Sequence, residues 1–210
     1  MSVLEEIAQS VIDGDAAKVA DLTKKALDSG VAPLDIINGG LVSGMGVVGE
    51  RFKTGEMFLP EVIFSGDALY AGVDLVKPLL TEGGMPSKGT AVIGTIKGDL
   101  HDIGKNLVGM MLESNGYKVV NLGADVSPES YVQAAKEHNA DIIGCSAMLT
   151  TTMILMEDVI KLLETEGLRG KVKVMIGGAP LSPEYADKIG ADSYAPDAAT
   201  AVEHANELIQ

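Results

Sequence analysis

The hydrophobic period of this chain changes near residue 80, and that change limits the folds open to it. Before it, apolar residues recur at three- and four-residue steps, the mark of amphipathic helices. Val3, Leu4, Ile7, Ala8 and Val11 share one face. Asp13-Gly14-Asp15 breaks that helix and offers a cap to a second, which carries Val19, Leu22, Ala26 and Leu27 and closes at Ser29-Gly30. Pro33 is placed to open a third helix reaching Phe52, and Pro60 a fourth. Four such helices with short connections predict a small bundle over residues 1–80. Residues 81–89 read as a linker, because Gly, Pro and polar residues gather there.

Beyond residue 89 short apolar runs at 91–96, 118–120, 141–145, 172–176 and 193–195 alternate with helical stretches near 103–115, 128–138, 152–166, 183–189 and 197–209. Strand–helix units in series predict a parallel sheet covered on both faces. The expected fold class is therefore α/β: a helical cap over 1–80, then a flavodoxin-like (Rossmann-like) five-stranded sheet over 90–210, in strand order 2-1-3-4-5. In such sheets a ligand sits outside the carboxyl ends of the strands, where the order reverses. Here that is between strands 1 and 3.

Composition removes several classes. A net charge of −14, spread evenly along the chain, argues against nucleic acid, whose phosphates need a basic face. The lone Cys145 excludes a disulfide framework and a multi-cysteine metal site, and fits a reducing, cytoplasmic setting. No apolar stretch approaches the ~18 residues that would span a bilayer, so no membrane association and no signal peptide are expected.

Strand 1 runs into Lys97-Gly98-Asp99-Leu100-His101-Asp102-Ile103-Gly104. This is neither a dinucleotide fingerprint nor a phosphate loop. It does place an imidazole at a loop tip, two residues from a carboxylate. Imidazole is a common metal ligand, and a carboxylate that takes its second N–H fixes the tautomer. Asp99 is spaced for that role, and Thr152, in the strand-3 loop, can extend the relay. His138 and His204 lie elsewhere, so His101 fits best as one axial ligand to a metal already held by a macrocycle. Ser146, Ala147, Gly177, Gly178 and Ala179 are all small, and read as opening a slot beside strands 3 and 4 for a thin appendage. Blander readings exist for the same residues: a surface histidine bonded to Asp99, a tight turn at Gly177-Gly178, solvated Lys97 and Lys105, and ordinary bundle core for the aromatic residues of the cap.

Asp99-x-His101-x-x-Gly104, the Ser146 element and the Gly177-Gly178 pair together resemble the cobalamin-binding domain of corrinoid-dependent methyltransferases. The stretch from Phe52 to Glu61 is similar to the cap preceding that domain in methionine synthase and in the corrinoid proteins of methylamine, methanol and methoxyarene methyltransferase systems. The resemblance covers nearly the whole chain. It implies cobalamin or a related corrinoid bound base-off/His-on, with His101 on cobalt and Asp99 and Thr152 as the relay behind it. It further implies that Leu100, Asp102, Ile103 and Gly104 contact the corrin or the start of its tail. Ser146, Met148, Leu149, Thr150, Gly177, Gly178 and Ala179 would line the tail's slot, with Tyr194, Asp197 and Ala198 near its end. Phe52, Phe58, Leu59 and Val62 would shield the upper face. The chain departs at Met148, where the family often has Leu, and carries Thr152 where methionine synthase uses Ser. The implied function is a methyl carrier, loaded on cobalt by a donor-specific methyltransferase and unloaded by an acceptor methyltransferase, with a reductive activator as a further partner. Alternatives sharing the motif are a cobalamin-sensing regulator and the small subunit of an adenosylcobalamin mutase. The light-sensing members of the first class place a Trp in the cap, and this chain has none.

Overall fold

The computed structural model describes residues 1–79 and 87–209, which form a helical unit and an α/β unit. Most of the expected linker, residues 81–86, lies outside the described residues.

The helical unit starts with α1 (Val3–Ile12), closed at its N-terminus by a capping box. The Ser2 N–H donates to Glu5 Oε2 at 2.7 Å, and the Glu5 N–H donates to Ser2 Oγ at 3.3 Å. Asp15 caps α2 (Ala16–Asp28) by accepting from the Lys18 N–H at 3.0 Å. The third helix, expected to be continuous, is instead three pieces: α3 (Pro33–Ile36), a π-helical turn over Ile37–Val42, and α4 (Ser43–Lys53). Gly39-Gly40 sits inside the π turn, where helix propensity is lowest and the i→i−4 ladder yields most easily. Next comes α5 (Leu59–Val76), with Pro60 in its first turn. Ile7, Val11, Val19, Ile36, Leu41, Met45, Val62 and Leu69 are buried here.

The α/β unit alternates β1 (Thr90–Thr95), α6 (Ile103–Ser114), β2 (Lys118–Asn121), α7 (Pro128–His138), β3 (Ile142–Ser146), α8 (Met156–Thr165), β4 (Lys173–Gly177), α9 (Pro183–Ile189), β5 (Ser193–Ala195) and α10 (Ala198–Leu208). The strands lie in the order β2-β1-β3-β4-β5, all parallel, as the alternating pattern requires. Val92, Ile143, Val174 and Ile176 are buried in the sheet with Tyr131, Val159 and Leu163 from the helices packed on it. Register levels one edge: Thr95 pairs with Ser146, Ser146 with Gly177, and Gly177 with Ala195. The loops after these strands therefore leave from a common rim.

The helix expected over 152–166 begins later. A 3-10 turn, Met153–Leu155, comes first, and α8 starts at Met156. The reason is competition for backbone groups. The Thr152 hydroxyl donates to the Leu149 carbonyl at 3.0 Å, and the Tyr185 hydroxyl takes the Met153 carbonyl at 3.0 Å. These bonds tie the segment into the rim loop.

Candidate functional site

Asp99 is the centre of the rim. Its side chain is fully buried, between the loop after β1 and the loop after β3. A buried carboxylate is costly unless its oxygens are satisfied. Here Oδ1 accepts from the His101 backbone N–H at 3.0 Å and faces His101 Nδ1 at 2.7 Å. Oδ2 accepts from the N–H groups of Met148 at 2.7 Å and Leu149 at 3.2 Å, and lies 3.2 Å from the Thr152 hydroxyl. Burial on its own raises the carboxyl pKa. The N–H groups of Met148 and His101, the His101 ring and the Thr152 hydroxyl outweigh it and hold the pKa well below the usual carboxylate range. The group is therefore an anion at neutral pH, and an anion at Oδ1 requires a proton on Nδ1. That fixes the neutral tautomer of His101 with its lone pair on Nε2.

The His101 side chain is 58% exposed, and Nε2 has no hydrogen-bond partner among the described residues. The backbone of the residue is pinned as well, because the buried Thr95 hydroxyl donates to the His101 carbonyl at 3.2 Å. Thr152 carries one hydroxyl proton and two acceptors within reach, Asp99 Oδ2 and the Leu149 carbonyl, so it donates to one at a time. Apolar side chains on and next to the loops after β1 and β3 are left unburied. Leu100 is 75% exposed, and Ile103, Met148, Leu149 and Ile154 are exposed too. An uncovered apolar patch of this kind around a free imidazole marks a binding surface.

The remaining expected residues divide. Ser146 and Gly177 end their strands side by side on the rim. Thr150 is exposed on the same loop as Met148, and Ala179 is exposed after β4. Gly178 does not leave open space. Its φ is +132°, and an added Cβ would lie 1.8 Å from the Ala147 carbonyl oxygen. Glycine is required there for backbone-on-backbone packing, so the tight-turn reading accounts for it. Asp102 accepts from the Asn106 side chain at 3.0 Å, and Gly104 is exposed in the first turn of α6. Tyr194 is half-buried on β5, Asp197 caps α10 through the Thr200 N–H at 2.8 Å, and Ala198 is buried. In the helical unit Phe58 is 68% exposed, Phe52 and Leu59 are half-buried, and Val62 is core.

Lys105 corrects the expectation of a solvated amine. It is only 4% exposed, and its Nζ donates to the Asn106 and Asn121 side-chain oxygens, the latter at 2.6 Å. Burial lowers its pKa, partly offset by Asp102. Thr95, Asn121 and Asp125 were not legible as site residues. Each reaches the rim from a different strand or loop, and only the parallel register brings them there.

No group of three or more His, Cys, Asp or Glu among the described residues is placed to hold a metal ion. The rim instead supplies a single imidazole lone pair inside an apolar patch, which suits a flat macrocycle that brings its own metal. Together with the doubly wound sheet, this defines a class of protein that binds a cofactor at the carboxyl ends of its strands.

Comparison with known proteins places it more closely. Two models described as B12 binding domain match residues 89–204 and 3–77. A corrinoid protein of Desulfitobacterium hafniense (strain Y51) is 47% identical over 212 residues, covering 100% of this chain and 98% of the relative. The dimethylamine corrinoid protein of Methanosarcina barkeri is 48% identical over 208 residues, covering 99% and 97%. The crystal structure of the methanol:cobalamin methyltransferase complex MtaBC from Methanosarcina barkeri contains a chain that superposes with a TM-score of 0.89 at 32% identity, covering 99% of this chain and 79% of that one. The chain belongs to the family of B12-binding corrinoid proteins.

Proposed function

We propose that this corrinoid protein is a methyl carrier that takes a methyl group from a donor-specific methyltransferase and presents it to a second methyltransferase acting on a thiol or pterin. The observation that carries this reading is the Asp99–His101 pair, which sets a ring proton on Nδ1 and leaves Nε2 without a hydrogen-bond partner among the described residues, beside loops that expose apolar side chains. When bound, the corrinoid supplies a cobalt centre on which the methyl group travels. His101 Nε2 is its ligand from the protein, in the base-off/His-on mode. Asp99 keeps the proton on Nδ1 and fixes the plane of the ring; its own low proton affinity holds that proton on the nitrogen. Thr152 can strengthen or release this grip by turning its hydroxyl toward Asp99 or Leu149. Leu100, Ile103, Met148 and Leu149 exclude water from the lower face of the ring, with Asp102, Gly104 and Thr150 at its margin. Ser146, Gly177 and Ala179, then Tyr194, Asp197 and Ala198, follow the cofactor's tail. In the helical unit the exposed Phe58 and the half-buried Phe52 and Leu59 are the side chains available to shield a methyl group, whereas Val62 is buried in that unit's own core.

One relative is named a dimethylamine corrinoid protein, and the superposed chain comes from a methanol:cobalamin methyltransferase complex. Both support methyltransferases as partners here; a reductive activator that restores the cofactor after oxidation is proposed as a further partner. No helix among the described residues is long and apolar enough to cross a membrane. The buried, unpaired Cys145 supports a cytoplasmic setting. The test is purification with hydroxocobalamin under anaerobic conditions, followed by methylation and an ultraviolet–visible spectrum. The wild type should show a nitrogen-ligated methylcobalamin spectrum, and His101→Ala a base-off one. Identical spectra would remove His101 from the role.

A further inference from the structure

We infer that Asp125, in the loop after β2, is a positioning residue for His101; the inference rests on the reading of His101 as the lower ligand. Among the described residues only Asp125 and Asn139 are non-glycines with positive φ, and Asp125 has φ +58°. A side chain with a Cβ enters that region at a cost, although Asp tolerates it better than most. Asn139 ends helix α7 there, a common use of the conformation. Asp125 ends no helix. Its conformation instead makes a two-point grip. Asp125 Oδ1 accepts from the Gly98 N–H at 2.7 Å, and the Asp125 N–H donates to the Asp99 carbonyl at 3.1 Å.

Gly98 and Asp99 directly precede Leu100-His101, and Gly98 itself has φ +83°. The imidazole is thus located by two loops acting on one short segment. The loop after β3 holds the Asp99 side chain through Met148, Leu149 and Thr152. The loop after β2 holds the backbone of 98–99 through Asp125. A ladder anchors that second loop, with Ile96 bridged to Val126 and the Val126 N–H donating to the Thr95 carbonyl at 2.9 Å. Without the Asp125 carboxylate the Gly98 N–H loses its acceptor, and a glycine turn is the least able to keep its shape unaided. Asp125 is exposed and contributes nothing to the sheet core, so its effect passes to the site through this grip.

A double-mutant cycle tests this on the full chain, with hydroxocobalamin reduced by one electron as the probe. The readouts are the dissociation constant and the nitrogen hyperfine splitting from histidine in the electron paramagnetic resonance spectrum, read on protein labelled with 15N-histidine so that the cofactor's own 14N base is told apart. Asp125→Gly keeps the left-handed backbone and removes the acceptor. It should weaken binding about tenfold and reduce the fraction of cobalt showing histidine splitting, the loss of one charge-assisted hydrogen bond. In a His101→Ala background the same change should alter the dissociation constant less than about twofold, because the group it positions is gone. Asp125→Asn keeps an acceptor oxygen and tolerates positive φ, and should stay within about twofold of wild type. Asp125→Ser, too short to reach Gly98, replaces the glycine variant in the cycle if that variant melts at the assay temperature. Equal losses in both backgrounds, no loss in the wild-type background, or a tenfold loss with Asn would each overturn the proposal. Histidine splitting that persists in His101→Ala alone would overturn the ligand assignment itself, independently of any Asp125 variant.

Discussion

Replacing Asp99 by Asn changes one buried oxygen to an NH2 group and leaves the volume nearly constant. In the wild type every hydrogen-bonding neighbour of the carboxylate is a donor. Asn must turn its NH2 toward one side or the other. Facing the β3 loop, the NH2 meets the N–H groups of Met148 and Leu149, and both lose their acceptor. Facing His101, it meets the backbone N–H and forces Nδ1 to accept, which moves the ring proton to Nε2 and removes the lone pair that would bind cobalt. One orientation costs stability and the other costs ligation. Leaving a buried donor unpaired costs roughly 1–3 kcal/mol, and bonds to a charged acceptor sit at the upper end. We expect a loss of about 3 kcal/mol for the α/β unit, a fall in melting temperature of roughly 10 °C. Calorimetry of the cofactor-free protein measures it. The pH dependence supplies a second arm. The folded pKa of Asp99 is depressed, while the unfolded chain protonates it near pH ~3.9. Its contribution is therefore complete above that pH and is lost as pH falls through the folded value, so the gap between wild type and Asp99→Asn should start to narrow below about pH 4 and close only once the folded carboxylate is protonated. A variant within about 1 kcal/mol of wild type that still bound cobalamin normally would refute this account of the carboxylate.

The hydroxyl of Thr152 is what its position uses, so Thr152→Ser should melt within about 0.5 kcal/mol of wild type and Thr152→Val about 1 kcal/mol lower, by urea denaturation. Gly178→Ala forces a Cβ to 1.8 Å from a backbone oxygen, and should cost at least about 3 kcal/mol or yield insoluble protein. Gly104→Ala is the contrast: nothing lies within 4 Å of an added Cβ, so the cofactor-free protein should gain up to about 1 kcal/mol from helix propensity. Burial pushes the Cys145 thiol pKa up to about 12, so the native protein at pH 8 should resist iodoacetamide for hours and react only in denaturant. Fast native labelling would place this thiol at a surface.

Strand and helix positions were legible because burial leaves a local record. A parallel strand reads as an apolar run, and an amphipathic helix repeats every three or four residues. The Asp99–His101 bond was legible for the same reason, since its partners are two residues apart and the bond forms within one turn. The π turn was less visible, because a widened helix keeps nearly the same apolar pattern. The late start of α8 was hidden too, since it depends on Tyr185 reaching the Met153 carbonyl from another helix.

Sequence alone determined the two-part plan, the sheet type and the identity of the imidazole at its rim, for these follow from periodicity and from neighbours along the chain. Tertiary structure decided how that imidazole is held. The register of β1 with β3 and of β3 with β4 sets Met148, Leu149 and Thr152 on Asp99 and seats the Ala147 carbonyl where Gly178 has no Cβ, and that of β1 with β2 buries Lys105 among asparagines and brings Asp125 to Gly98. Such partners lie as many as 53 residues apart. Hydrogen bonds act over about 3 Å whatever the separation along the chain, so no local pattern can announce them before the sheet has formed.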